Sequence, residues 1–137
     1  KKDAMSLTAI SDRLKNFISR IQKSYPAVNV EVKEEITADH QLPSSQAFHL
    51  YRILQEAVNN ALKHSKGRNI IVLLSSGQSW KIMVRDDGVG IAGEKVQNSS
   101  GNGLLNMKER SREAGLEISW EKTGGGGTTL VVWPTTN

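Results

Sequence analysis

"LQEAVNNALKHS", residues 54–65, is the stretch on which the reading of this chain turns. Leu54, Ala57, Val58, Ala61 and Leu62 recur at helical spacing, and with Leu50 and Ile53 they form a broad apolar stripe. The pattern predicts a helix from about Gln46 to Ser65. Glu56, Asn60, Lys63 and His64 fall beside the stripe, in an arc of about 100° on a wheel of ~100° per residue. Glu56, Asn60 and His64 are spaced i, i+4, i+8, so their side chains stack along one edge. Two adjacent asparagines weaken a helix, which makes the cluster worth a chemical reading. Mg²⁺ takes oxygen ligands and keeps several waters. Asn60 offers a neutral oxygen for it, Glu56 a holder of metal-bound water or a base, and Lys63 and His64 partners for phosphate oxygens. Taken alone, the segment reads more readily as an ordinary amphipathic helix with a polar flank.

The segments on either side set the context. Residues 4–24, "AMSLTAISDRLKNFISRIQKS", predict a helix through Leu7, Ile10, Leu14, Phe17, Ile18 and Ile21, stopped by Pro26. "VNVEVKEEI" (28–36) alternates as a strand. "TADHQLPSS" (37–45) reads as a loop, with Ser44 or Ser45 able to cap the helix that follows. After the "SKGRN" break come two strands, "IIVLLSS" (70–76) and "WKIMVRD" (80–86), then a loop rich in Gly, Ser and Asn. A short helix, "LLNMKERSREAG", is expected to end at Gly115. "LEISWEK" (116–122) and "TTLVVWP" (128–134) are the last strands, separated by "TGGGG". No repeat or composition break divides the chain. Mixed strands and helices with a central hairpin predict an α+β, two-layer sandwich, helices on one face of a mixed, mostly antiparallel sheet.

Three glycine segments are candidates for ligand approach. "VRDDGVGI" (84–91) follows a strand, and Gly88 and Gly90 allow a sharp bend beneath a bound group. A carboxylate at that strand end can accept a hydrogen bond from an exocyclic amine. In "GNGLLNMKER" (101–110), Gly101 and Gly103 precede a helix whose free N–H groups can face phosphate. "TGGGGTTLVV" (123–132) is a hairpin loop that can also place the Thr128 hydroxyl in a pocket. Each segment alone is also an ordinary turn or cap. The Walker A and Rossmann fingerprints are absent.

Composition narrows the classes further. At 137 residues the chain has the size of one domain and can bury a core without staples. It has no cysteine, which removes disulfides, thiolate metal sites and thiol nucleophiles. The net charge of +4, from 18 basic and 14 acidic residues, suits an anionic ligand. Without a dense basic stripe carrying aromatics, no direct nucleic-acid binding is expected. No apolar run reaches the ~20 residues of a membrane span. The chain opens "KKDAMS" rather than with Met, and is expected to be part of a longer protein.

The order of the segments is far more specific than any one of them. It resembles the GHKL superfamily of ATPases, which includes gyrase, the heat-shock chaperone, histidine kinases and MutL. In particular it is similar to the catalytic ATP-binding domain of a bacterial sensor histidine kinase. "QEAVNNALKHS" resembles the N box, "DDGVG" the first glycine box, "GNGLLNMKER" the second, and "GGGGTTL" the final Gly-Thr element. The likeness covers about residues 28–134. "EAVNNALKHS" and "GLLNMKERS" look like the nitrate-sensor-like subfamily, whose response regulators carry a helix-turn-helix output domain.

The resemblance implies ATP and Mg²⁺ as ligands. It implies that Asp86 reads the adenine amine, that Asn60 ligates Mg²⁺, and that Glu56 holds metal water or assists proton removal as the catalytic residue. Lys63 and His64 would approach the phosphates. Gly88, Gly90, Gly101, Gly103 and Leu104 would shape the ATP pocket and a lid over residues 91–103, expected to move without nucleotide. Thr128 would support the adenine side. Asn102 departs from the His common between the two glycines, and Asp87 stands where Asn is frequent.

Such kinases carry their phosphoacceptor histidine on a dimerisation helix. None of His40, His49 or His64 lies in that context, so the acceptor is expected before Lys1. Residues 1–25 are then a linking helix, and 26–137 the catalytic domain. The implied partners are that dimerisation domain and a response regulator, with the fragment monomeric and the whole protein a homodimer. The domain is expected in the cytoplasm, the whole protein anchored in the inner membrane. The alternatives are an anti-sigma-factor-type serine kinase of the same superfamily and a degenerate nucleotide-binding module.

Overall fold

A computed structural model describes residues 4–66, 68–88, 102–122 and 126–136, the side chains of residue 65 and of residues 102–105 excepted. Its elements run β1 (Ala4–Ser6), α1 (Leu7–Ile21), a 3-10 turn (Gln22–Ser24), β2 (Asn29–Ile36), β3 (Gln41–Pro43) and α2 (Ser44–Asn60). A π-helical turn (Ala61–Ser65) follows, then β4 (Asn69–Ser76), β5 (Trp80–Asp86), α3 (Asn102–Ala114), β6 (Leu116–Lys122) and β7 (Thr128–Pro134).

The main sheet has the order β2-β4-β5-β7-β6. β2 and β4 are parallel, as a helical crossover between them requires, and every other neighbouring pair is antiparallel. Alternation assigns the faces. Ile70, Val72, Leu74, Ile82, Val84, Leu130 and Val132 point into a core shared with Leu50, Ile53, Leu54 and Val58 of α2. The opposite face leaves Ile71, Leu73, Met83, Val131 and Trp133 half-buried beside Lys81 and Arg85. The expected two-layer sandwich, helices on one face of a mostly antiparallel sheet, is therefore the architecture observed.

α1 belongs to the same core. Leu7, Ile10, Leu14 and Ile18 are buried in it, so the helix read from sequence as a linker is also a packed part of the helical layer. It starts at Leu7 rather than residue 4, because Ser6 caps it: its Oγ accepts from the Ala9 N–H at 3.1 Å. The three residues before pair instead with Gln41–Pro43, with Met5 opposite Leu42. The expected loop 37–45 thus contains β3, whose Leu42 is buried. Neither Ser44 nor Ser45 caps α2. The N-cap is Pro43, without a side-chain cap bond, and both serines lie in the first turn.

Ser11, fully buried on α1, donates its hydroxyl to Glu34 of β2, and Lys15 lies 3.1 Å from the same carboxylate oxygen. These bonds hold the Glu34 carboxyl below its ordinary value of 4.5, the Ser11 hydroxyl having the largest effect. A depressed carboxylate stabilises the fold above its unfolded pKa, and that increment is lost as pH falls through the folded one. Ser11→Ala is expected to cost about 1 kcal/mol in urea unfolding at pH 7, with a smaller deficit at low pH, where Glu34 is protonated in both proteins.

Candidate active site

Two chain reversals meet at the ends of β5 and β7. Asp86 is the last residue of β5, 4% exposed. The Gly88 N–H donates to its Oδ1 at 2.9 Å, and the Thr128 N–H also donates to the carboxylate. Burial pushes the Asp86 carboxyl above its ordinary range, the two N–H donors oppose the rise, and the neighbouring Asp87 adds to it. A buried carboxylate with an open lone pair is suited to accept from an amine.

Asp87 has a different task. Its Oδ1 accepts from the Arg68 and Asn69 N–H groups at 2.9 and 3.0 Å, and its Oδ2 from Asn69 Nδ2 at 2.8 Å. The Asp87 N–H in turn donates to the Asn69 carbonyl at 3.2 Å. This clamp ties the end of β5 to the start of β4 and so holds Asp86 in place. Those donors depress the Asp87 carboxyl.

The glycine loop before β7 closes the other side. A Cβ on Gly127 would lie 1.8 Å from the Asp86 carbonyl oxygen and 2.8 Å from its carbon. Only glycine permits that approach. Gly126 takes φ +117 and faces the Gly88 carbonyl. In the sequence these glycines read as a hairpin loop within the Gly-Thr element, with no sign of a contact to Asp86. The signal that could have found their role is the pairing of β5 with β7, which brings Gly127 against Asp86. Thr128 is buried beside them.

Glu56 and Asn60 lie half-buried one turn apart on α2, and neither side chain has a hydrogen bond or ion pair among the described residues. Past Asn60 the α-helical wheel fails, because Ala61–Ser65 form a π turn ended by Lys66 at φ +60. Each residue there advances less around the axis than in an α-helix, so Lys63 and His64 lag behind their wheel positions. Both are exposed. π turns inserted in α-helices are frequent at functional sites.

Glu56 opens into a groove of about 250 Å³ between α1, α2 and α3, lined also by Phe17, Arg52, Gln55, Asn59, Asn106, Met107 and Arg110. Neither arginine was singled out in the sequence, since helix-surface arginines carry no local signature. α3 begins at Asn102, so Gly103 lies inside the helix rather than before it. The side chain of Leu104 and the residues Gly90 and Gly101, with the expected lid up to Gly101, lie outside the described residues. Among the described residues no three His, Cys, Asp or Glu gather as a metal site. The free oxygens of Glu56 and Asn60 nonetheless suit a hard cation shared with phosphate and water. No helix among the described residues is long and apolar enough to cross a membrane.

This sandwich, with a buried carboxylate at the end of its central strand and a helix bearing Glu56 and Asn60 packed on the sheet, has the layout of a nucleotide-binding ATPase fold. Residues 45–137 match the family described as histidine kinase-, DNA gyrase B- and HSP90-like ATPase, and the chain belongs to that family. It is similar to the sensor protein VraS of Staphylococcus saprophyticus, 31% identical over 126 residues covering 90% of this chain and 35% of that protein. VraS of Staphylococcus aureus strain COL is 32% identical, with 90% and 35% covered. The chain therefore spans about a third of the length of these relatives. The ATP-binding domain of PrrB from Mycobacterium tuberculosis superposes with a TM-score of 0.75 at 22% identity, over 98% of this chain and 97% of that one. Mycobacterial MprB gives 0.74 at 19%, over 96% and 95%. These likenesses establish the fold; the family match and the VraS relatives make the chain an ATP-binding domain of the sensor-histidine-kinase type.

Proposed function

We propose that this domain binds Mg²⁺-ATP and donates the γ-phosphoryl to a histidine of a dimerisation domain in the same protein, from which it passes to an aspartate of a response regulator. The observation that carries this is the buried Asp86 carboxylate, held by the Gly88 and Thr128 N–H groups at the end of β5. Its remaining acceptor capacity suits the adenine amine, and Thr128 walls that side. Asn60 would hold the cation and Lys63 and His64 the phosphate oxygens. Gly88, with Gly90, Gly101, Gly103 and Leu104, would form the rest of the ATP pocket. The cation, when bound, neutralises phosphate charge as it builds. The acceptor imidazole nitrogen bonds the γ-phosphorus as the bond to the ADP oxygen breaks, and Glu56 takes the proton the imidazole gives up. The nitrate-sensor-like subfamily, a helix-turn-helix regulator, a homodimeric whole protein, the linking role of α1 and an inner-membrane anchor complete the reading.

Calorimetry with ATP and GTP in Mg²⁺ tests it. GTP carries a keto oxygen in place of the amine, so ATP is expected to bind at least about tenfold more tightly. Equal affinities would remove Asp86 from adenine recognition. Glu56→Gln is expected to leave ATP affinity within about twofold and slow phosphoryl transfer by about 10²-fold or more, the usual contribution of a general base. Lost binding with undiminished turnover per bound ATP would contradict its role.

A further inference from the structure

The groove beside Glu56 has features that the nucleotide does not account for. It carries two guanidinium groups, Arg52 from α2 and Arg110 from α3, against the single carboxylate of Glu56. Neither guanidinium has an ion pair or hydrogen bond among the described residues. Gln55, Asn59 and Asn106 add amide donors, while Phe17 and the buried Met107 supply apolar wall. At about 250 Å³ it is smaller than the roughly 300–1,000 Å³ of small-molecule pockets. It is the size for one or two side chains projecting from a protein surface. None of its lining residues belongs to the Asp86, Gly127 and Thr128 cluster.

We infer that this groove receives the phosphoacceptor partner, and that Arg52 and Arg110 clasp an acidic side chain of it so that the acceptor group arrives at Glu56. The inference rests on the kinase reading above and deepens it. A group that gives its proton to Glu56 must come to the side on which Glu56 opens, and that side is the groove. In-line transfer needs the acceptor and the leaving ADP on opposite sides of the phosphorus. Adenine held at Asp86 leaves the groove free for the acceptor. Two cations from different helices fix a carboxylate in position as well as sign, the arrangement guanidinium groups favour. Phe17 brings α1 into the same surface, which gives that helix a part in the encounter.

The test is phosphoryl transfer from γ-labelled ATP to the acceptor domain of the parent kinase, supplied as a separate protein over a concentration series. The Arg52→Gln/Arg110→Gln variant is expected to need about tenfold more acceptor for half-saturation, at an unchanged maximal rate and with ATP affinity by calorimetry within about twofold. Arg52→Lys/Arg110→Lys, which keeps the charge, is expected to recover part of the loss. Unchanged half-saturation in the Gln variant would overturn the inference. So would a parallel loss of ATP affinity, which would assign the arginines to the nucleotide. Failure of the unmodified chain to bind ATP would instead refute the kinase reading itself.

Discussion

Asp86→Asn is expected to weaken ATP binding by about 100-fold while leaving the unliganded domain at least as stable as before. The carboxylate accepts from the adenine amine as an ionised group, and hydrogen bonds to charged partners are worth roughly 1.5–3 kcal/mol, which corresponds to about 10- to 150-fold. Asparagine removes the charge and turns a donor toward another donor. Stability responds in the opposite sense. Burial raises the Asp86 carboxyl, so its contribution to stability is present below the unfolded pKa and is lost as pH rises through the folded one. At neutral pH the ionised group is a cost that asparagine relieves. Calorimetry and thermal unfolding on the same samples separate the two effects. The pH profile adds a check: wild-type affinity should fall on acidification at a higher pH than an ordinary aspartate would give, and the variant should lack that step. A variant that binds ATP normally, or one that loses binding only because it unfolds, would contradict the assignment.

Among the described glycines, Gly127→Ala is expected to be the most damaging substitution. Its Cβ would sit 1.8 Å from the Asp86 carbonyl oxygen and 3.1 Å from the Asp87 Cα. Backbone cannot swing aside as a side chain can. The strands must part, which pulls the Thr128 N–H from the Asp86 carboxylate and strains the Asp87 clamp. Overpacking of this kind costs about 3 kcal/mol at the upper end of its usual range, so the melting temperature should fall by roughly 10 °C for a domain of this size. ATP affinity should fall with it. Gly77→Ala is the control: its Cβ would meet only Thr37 Oγ1, at 3.8 Å, and little change is expected. Equal melting temperatures for Gly127→Ala and wild type would show that the loop does not press on Asp86.

The contrast between these two glycines shows what could be read from the chain. Period-2 and helical patterning placed β2, β4 to β7, α2 and the Gly115 cap to within a few residues, because burial on one face forces those periods. Glu56, Asn60, Asp86 and Thr128 stand out as site candidates in the chain because their segments resemble known boxes in order. Features set by tertiary contact were not. β1 and β3 are three-residue strands that exist only as each other's partners. The π turn departs from a wheel that presumes regular α geometry. The role of Gly127 depends on the register of β5 against β7, and that of Asp87 on the nearness of Asn69. Arg52 and Arg110 lie 58 positions apart (110 − 52) and share a groove only once α2 and α3 pack.

The proposed function has this domain hold ATP and pass its γ-phosphoryl to a histidine of a dimerisation domain. Its most direct test is incubation with γ-labelled ATP and Mg²⁺, alone and with the acceptor domain supplied in trans. Label is expected on the supplied domain only, stable in base and lost in acid as a phosphohistidine is. Acid-labile, base-stable label on the isolated 137-residue chain, or acid-stable label on the acceptor, would contradict it.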